Sequence, residues 1–378
     1  MRVGILTYDY DPPIGGLGAI ARRTKDMLQT LFPEDTLIVF SPSQHADHCV
    51  SALAELCWRM PGGCPFFSLA LVLRLPSLVR RYSLDLVHVH AGSGGVFLLR
   101  KPACPLVVTA HHTYLQEAEL VFRRKPIRQL WKRLMALLER RTYVLADRII
   151  CISKDTEDVL AERYGLPRSK MCVIENAVPL PRARPLLPRE ERTVLFVGRL
   201  EERKGVEVLL QAFSLLGRTH PDARLRLIGK NLMGRRLLSF IEKKHLQSRI
   251  ALPGFLYDPL LEREMLHATV LVVPSLLEGF GLIAAQGMLA GTCVIASDAP
   301  GLRCVVRDTV TGLLFRSGDP VDCAEKIARA LDHPELRLQL QEAANMDARQ
   351  RFDPERRTSD VHAVFASLLD ASARLSAC

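Results

Sequence analysis

Short runs of β-branched and apolar residues alternate with longer amphipathic stretches from one end of this 378-residue sequence to the other. That alternation is the pattern of βα units wound round a parallel sheet. The runs fall into two series. The first predicts strands near 2–8, 36–40, 86–90, 106–110, 148–152 and 171–174. The second predicts them near 193–198, 224–229, 249–252, 269–273 and 292–296, with helices that include 205–216, 321–332 and 358–370. The length, about two and a half times a typical domain of roughly 150 residues, also asks for two domains. Between the series, Pro179–Arg192 (PLPRARPLLPREER) carries four prolines and no periodic apolar pattern, so it reads as an extended linker. Ligands of open α/β sheets bind outside the carboxyl ends of the strands, which places the expected site between two such domains.

Composition excludes several classes. With 48% apolar and 24% charged residues the chain matches ordinary globular proteins, not disorder, collagen or coiled coil. The start, MRVGILTYDY, offers no apolar stretch long enough for a signal peptide before Asp9 and Asp11. The most apolar run, Phe66–Leu73, is eight residues long against the ~20 that a spanning helix needs. Ten cysteines without a CxxC pair argue against a zinc ribbon, a redox dithiol or a disulfide framework. Reduced, buried thiols in a cytoplasmic protein are expected.

Two segments carry most of the chemical signal. Leu195–Gly205 (LFVGRLEERKG) reads as a buried strand, a turn at Gly198, Arg199, and Lys204 just ahead of a helix; two cations beside open helix N–H groups suit an anion such as a diphosphate. The alternative is a solvated turn in which Glu201 and Glu202 pair with Arg203 and Lys204. Val270–Gly291 (VLVVPSLLEGFGLIAAQGMLAG) predicts a strand ending at Pro274, then Glu278, then Gly279, Phe280 and Gly281 exposing backbone amides before a helix that opens at Leu282. Such a carboxylate can hold sugar hydroxyls; the plainer reading is a helix-start residue facing the macrodipole.

Together and in this order, these segments resemble the retaining family-four glycosyltransferases (glycosyl transferases group 1) of the GT-B fold. The resemblance extends to Gly15–Gly16, Val107–His112 (VVTAHH), Pro253–Phe255 (PGF), Asp298–Gly301 (DAPG) and Thr311–Leu314 (TGLL). It implies an α/β architecture of two Rossmann-like, doubly wound parallel-sheet domains facing an interdomain cleft. Residues 1–180 would form the acceptor-side domain, 181–192 the linker and 193–357 the nucleotide-sugar-binding domain, with a C-terminal helix in 358–378 crossing back to the first. It also implies that Arg199 and Lys204 bind the donor's diphosphate, that Glu278 holds a donor-sugar hydroxyl near the amides of Phe280 and Gly281, and that His111 sits beside the transferred sugar. Gly15 and Gly16 would let the first loop approach phosphate and acceptor. The implied activity is transfer of a sugar from a nucleotide diphosphate sugar, with retention, to a lipid-linked or cell-surface glycan precursor. One position departs from the pattern: Gln286 stands where the family has a second glutamate, usually assigned to the ribose. A neutral acceptor contributes about 0.5–1.5 kcal/mol where a charged one gives roughly 1.5–3, so donor binding is expected to weaken by around tenfold. A relative that binds sugar nucleotide but has lost catalysis is the non-enzyme alternative.

Other readings compete. Gly16–Ala21 (GLGAIA) fits the GxGxxA variant of the dinucleotide fingerprint, an NAD-dependent dehydrogenase signal. The long loop after Tyr8 and the absence of an acid after Ile38–Ser41 count against it. Asp9-Tyr10-Asp11 mimics a metal-binding DXD but follows the first strand and reads as loop structure. His88, His90, His111 and His112 lack a local carboxylate to complete a metal site, so metal-independent chemistry is expected, with no cofactor beyond the donor. Finally, Arg123–Arg141 holds +7 of the chain's net +10. Ile127, Leu130, Trp131, Leu134, Leu137 and Leu138 recur at helical spacing opposite Arg128, Lys132, Arg133 and Arg140. The plain reading packs that apolar face on the sheet. The functional reading docks Arg123, Arg124, Lys125, Arg128, Trp131 and Lys132 on anionic lipid at the inner face of the plasma membrane. Nothing supports nucleic acid as a partner.

Overall fold

The computed structural model describes residues 1–11, 15–43, 46–49, 64–181 and 192–376. It divides into two compact units, Met1–Ala177 with Pro354–Cys378, and Val178–Asp353. Most of the proline-rich segment, 182–191, lies outside the described residues.

The first unit is built on a seven-stranded parallel sheet in the order β3-β2-β1-β4-β5-β6-β7. Its strands are β1 (Arg2–Leu6), β2 (Thr36–Ser41), β3 (His48–Cys49), β4 (Leu86–Ala91), β5 (Leu106–Ala110), β6 (Arg148–Cys151) and β7 (Met171–Val173). The crossovers include α1 (Gly16–Leu31), α2 (Cys64–Arg81), α3 (Pro126–Leu145) and α4 (Lys154–Glu162). The second unit has a six-stranded parallel sheet in the order β10-β9-β8-β11-β12-β13. These strands are β8 (Thr193–Val197), β9 (Arg224–Ile228), β10 (Ile250–Gly254), β11 (Val270–Val273), β12 (Cys293–Ser297) and β13 (Leu313–Phe315). Its helices are α5 (Val206–Leu216), α6 (Arg235–Lys243), α7 (Asp258–His267), α8 (Leu282–Leu289), α9 (Pro320–Asp332) and α10 (Pro334–Arg351). Parallel strands covered on both faces read as unbroken apolar runs, which is why LVHVHA, LVVTA and VLVV are buried along their whole length.

Strand order reverses next to β1 in the first sheet and next to β8 in the second. Such switch points open a crevice at the strands' carboxyl ends. The loops after β1 and β4, and those after β8 and β11, leave from these ends, and they carry most of the site residues expected from the sequence.

The terminal helix α11 (Pro354–Ser376) belongs to the first unit and packs on α1. Phe365 is fully buried in one cluster with Val3, Ile5, Val39 and Leu86, and its ring lies 5.1 Å from that of His88. His362 stacks on Phe32 at 3.5 Å and bonds Asp35 through Nε2 at 3.0 Å. Deleting a buried aromatic ring costs about 3–5 kcal/mol. Phe365→Ala is therefore expected to lower the denaturant midpoint of the first unit's transition and leave the second unit's in place, as read by unfolding followed by fluorescence and by hydrogen exchange of each unit.

Candidate functional site

In the second unit, Gly198 ends β8 at a φ of 149° and Gly205 opens α5 at 66°. A Cβ at Gly205 would lie 1.8 Å from the Pro274 carbonyl, so glycine lets this loop close onto the end of β11. The Leu276 amide donates to the Arg203 carbonyl at 2.8 Å and fixes the approach. Lys204 thereby reaches Glu278: its Nζ pairs with Oε1, Ser275 Oγ donates to the same oxygen at 2.8 Å, and Arg203 Nη1 lies 3.6 Å from Oε2. Burial pushes the Glu278 carboxyl up, but Lys204 and Arg203 outweigh it and bring it down to about 2, so it stays ionised. Lys204 is pulled below its ordinary value by burial, against the attraction of Glu278. Arg199 does not join this cluster. Its Nη2 pairs with Glu201 Oε1 at 2.9 Å and its side chain is 39% exposed. Of the paired-turn reading, Arg203 does meet Glu201 Oε1, at 3.3 Å, whereas Lys204 turns to Glu278.

Beyond Glu278 the chain turns through Gly279 and Phe280 into Gly281, whose φ of 103° caps α8 without any side-chain hydrogen bond. The first amides of α8, beginning at Leu282, therefore have no side-chain cap among the described residues, the arrangement that receives an anion. Phe280 sets the loop by packing edge-on to Phe352 at 5.2 Å. Gly301 is required too, since a Cβ there would meet the Glu278 carbonyl at 2.5 Å. Gln286 lies one turn into α8, half-buried, and its side chain makes no hydrogen bond among the described residues. Ser275 was not singled out from the sequence, and Arg203 entered only as a partner for the turn's own glutamates, not for Glu278.

In the first unit the glycine loop makes one close approach that the sequence did not single out. Gly15 precedes α1 and Gly16 begins it, and a Cβ on Gly16 would meet open space. The tight approach belongs to Gly18, where a Cβ would fall 2.3 Å from Asp9 Cγ. Asp9 Oδ2 accepts from the amides of Gly15 and Gly18 at 2.9 and 3.1 Å, and Asp11 pairs with Arg22 at 2.7 Å, so Asp9-Tyr10-Asp11 is loop structure. His111, just after β5, is buried, with its Nε2 3.2 Å from His90 Nδ1. His112 instead bonds Glu117 Oε1 at 3.2 Å, and Glu117 also takes Lys132 Nζ at 2.5 Å and Ser93 Oγ at 2.8 Å. Burial raises Glu117, and His112 and Lys132 reverse that, leaving it well below the usual carboxylate range. Nearby Glu139 meets no cation among the described residues; burial drives it up to about 8, against hydrogen bonds from Tyr164, the Tyr114 amide and Tyr143. Among the described residues no three metal-ligating side chains converge.

Helix α3 turns outward the apolar face that the plain reading packed on the sheet, apart from Leu138, which is half-buried against the core. Met135, Ala136, Glu139, Thr142 and Tyr143 are buried. Ile127, Leu130, Trp131, Leu134 and Leu137 stand exposed, at 85% for Ile127 and 70% for Leu130. Lys132, expected on the outer cationic face, turns inward to Glu117 and over the Tyr114 ring at 4.7 Å. Arg123, Arg124, Arg128 and Arg133 stay exposed around the apolar row. No helix among the described residues is long and apolar enough to cross a membrane.

Comparison with known proteins converges on one family. Residues 180–347 match the family model described as glycosyl transferases group 1, and residues 16–182 match glycosyltransferase family 4. A D-inositol 3-phosphate glycosyltransferase of Thermomonospora curvata is 31% identical over 294 residues, covering 70% of this chain and 67% of that protein. The protein of the same name from Thermobifida fusca is 31% identical over 299 residues, covering 73% and 68%. Among solved structures, sucrose-phosphate synthase from Thermosynechococcus elongatus superposes with a TM-score of 0.80 at 23% identity, covering 98% of this chain and 100% of that one. Anabaena Alr3699/HepE in complex with UDP-glucose gives 0.72 at 20% identity, with 97% and 100% covered.

The buried carboxyl of Glu139 makes a pH prediction. Its value in the fold lies above its ordinary 4.5, so its stabilising contribution is complete below about pH 4.5 and is lost as pH rises through about 8, at up to ~1.4 kcal/mol per pH unit. The histidines act the other way. Burial pushes His88 and His111 down to about 3, so their contribution is complete above about pH 6.5 and is lost on acidification. Glu139→Gln is expected to flatten only the decline between about pH 5 and 8, measured as the pH dependence of the unfolding free energy of variant against wild type.

Proposed function

The chain belongs to the group 1, family 4 glycosyltransferases of the GT-B fold, and from that membership we propose that it transfers a sugar from a nucleotide diphosphate sugar, with retention, to a lipid-linked or cell-surface glycan precursor. The observation that carries this reading is the buried Lys204–Glu278–Arg203 cluster beside the uncapped start of α8. It offers a fixed cation and open amides for the diphosphate, and a permanently ionised carboxylate to accept from a sugar hydroxyl. Arg199, on the same turn and half exposed, supplies a second cation by exchanging Glu201 for phosphate. As the sugar–phosphate bond breaks, negative charge grows on the leaving diphosphate, so cations held there stabilise the transition state more than the ground state. Retention follows from attack on the leaving-group face, the departing phosphate taking the acceptor's proton. UDP-sugar, the ligand named for HepE, is the first donor to try.

The acceptor side rests on α3. An exposed apolar row bordered by Arg123, Arg124, Arg128 and Arg133 matches an anionic lipid surface, where apolar side chains enter the interface and each basic residue adds about 1 kcal/mol. Lys132 takes no part in this surface.

Arg199→Ala and Lys204→Met are each expected to lower kcat on the order of 100-fold with a smaller change in donor KM, and turnover is expected to survive EDTA. Gln286→Glu should change kcat little; a large gain would identify a decayed catalyst. In sedimentation with liposomes, binding is expected to need anionic lipid and to fall about fivefold for each of Arg124→Glu and Arg128→Glu; equal sedimentation with neutral vesicles would sink the lipid surface.

A further inference from the structure

Beside His111 lies a buried group of polar atoms to which the proposed reaction gives no role. His88 and His90 alternate onto one face of β4, and both are 1% exposed. Their rings lie 4.6 Å apart, and the rings of His90 and His111 5.5 Å apart. Each ring spends one nitrogen on a neighbour: His88 Nε2 meets Thr109 Oγ1 at 2.7 Å, and His90 Nδ1 meets His111 Nε2 at 3.2 Å. The other two nitrogens, His88 Nδ1 and His90 Nε2, are buried without a partner among the described residues, as are Asn176 Nδ2 and Arg357 Nε. All four residues line one cavity of about 30 Å3, under α1 and α11. That volume admits one or two waters, and a buried water makes about three hydrogen bonds, up to four.

The cavity is lined also by Glu175, Thr24, Thr109 and Thr358, and the donor and acceptor balance of its four orphaned atoms is restrictive. Asn176 Nδ2 and Arg357 Nε can only donate. The imidazoles are neutral, since burial holds all three far below their ordinary value, and a neutral ring donates at one nitrogen and accepts at the other. A water that accepts from Asn176 and Arg357 has two protons left, and His88 Nδ1 and His90 Nε2 are the two remaining orphans. The proton of His88 then sits on Nε2 and is given to Thr109, that of His90 sits on Nδ1 and is given to His111 Nε2, and His111 carries its own on Nδ1. An anion in the same cavity would demand the reverse protonation of His88 and His90.

We propose that His90 is a positioning residue which, through a water bound by Asn176 and Arg357, fixes the ring orientation and the Nδ1–H tautomer of His111. The tautomer stands on the cavity alone, while its consequence for turnover rests on the reading of His111 as a residue beside the transferred sugar. The C-terminal helix enters the site in this way without touching substrate: it supplies Arg357, whose Nη1 is held by Asp360 at 3.1 Å.

Long-range 1H–15N correlation spectra of the full chain labelled with 15N-histidine read each tautomer directly. The expected set is Nε2–H for His88, Nδ1–H for His90 and Nδ1–H for His111; the reversed pair on His88 and His90, or Nε2–H on His111, overturns the proposal. His90→Leu is expected to abolish the single His111 tautomer and to lower kcat about tenfold or more with donor KM within about twofold. His90→Asn, whose amide N–H occupies the Nδ1 place, should restore most of that loss. Expected tautomers with unchanged kcat in a folded His90→Leu would overturn the positioning role while leaving the water in place. A wild-type chain with those tautomers and no transferase activity on any donor would instead indict the reading of the function.

Discussion

A carboxylate remains charged inside a protein only if nearby cations and hydrogen bonds outweigh the loss of water, and the second unit is arranged to do this for Glu278. Two loops from different strands must meet: the turn after β8 that carries Arg203 and Lys204, and the turn after β11 that carries Ser275 and Glu278. They can meet because Gly205 leaves room for the Pro274 carbonyl, and Gly301, on the loop after β12, leaves room in the same way for the carbonyl of Glu278. The glycines, the cations and the acid are therefore one device. Removing either charged partner would strand the other in a buried place, so the site is costly to alter piecemeal.

The first unit shows the same physics resolved in opposite ways. Glu117 and Glu139 are both buried, yet Glu117 is ionised because His112 and Lys132 reach it, and Glu139, met by two tyrosines and an amide, holds its proton near neutral pH. Both lie beneath the segment after β5 that carries His111 and His112. One of them locks Lys132 inward; the other ties the Tyr114 amide to α3. This segment is thus held by side chains from a helix whose outer face is free for a surface, which links the α3 face to the histidines through bonds and not through sequence proximity.

Long periodic signals were legible in the sequence and close approaches were not. The eleven strands expected from apolar runs all form; interior strands such as β4, β5 and β11 show continuous hydrophobicity because both faces are buried, while the edge strands β7 and β10 are partly exposed. β3 and β13, of two and three residues, are too short to show a pattern. Arg199, Lys204 and Glu278 were legible as residue types beside glycine turns, but the partner that helps hold Glu278, Arg203, depends on the fold of a turn. Gly18, not Gly16, meets Asp9 for the same reason: spacing identifies a glycine loop, while contact decides which glycine is indispensable.

The misreading of α3 has a physical cause that bears on function. Periodicity reports which residues share a face, not which face the core covers. Here the core takes the stripe of Met135, Ala136, Glu139, Thr142 and Tyr143, since this is the side on which Glu139 meets Tyr164 and the Tyr114 amide. The larger side chains, Ile127, Leu130, Trp131, Leu134 and Leu137, are left outward. A helix stabilised only by burial would settle the other way, at about 25 cal/mol for each Å2 of apolar surface hidden. The hydrogen bonds that Glu139 accepts from Tyr164, Tyr143 and the Tyr114 amide belong to the inward face, and an apolar row with basic neighbours is what remains at the surface, a feature that single exposed leucines do not create.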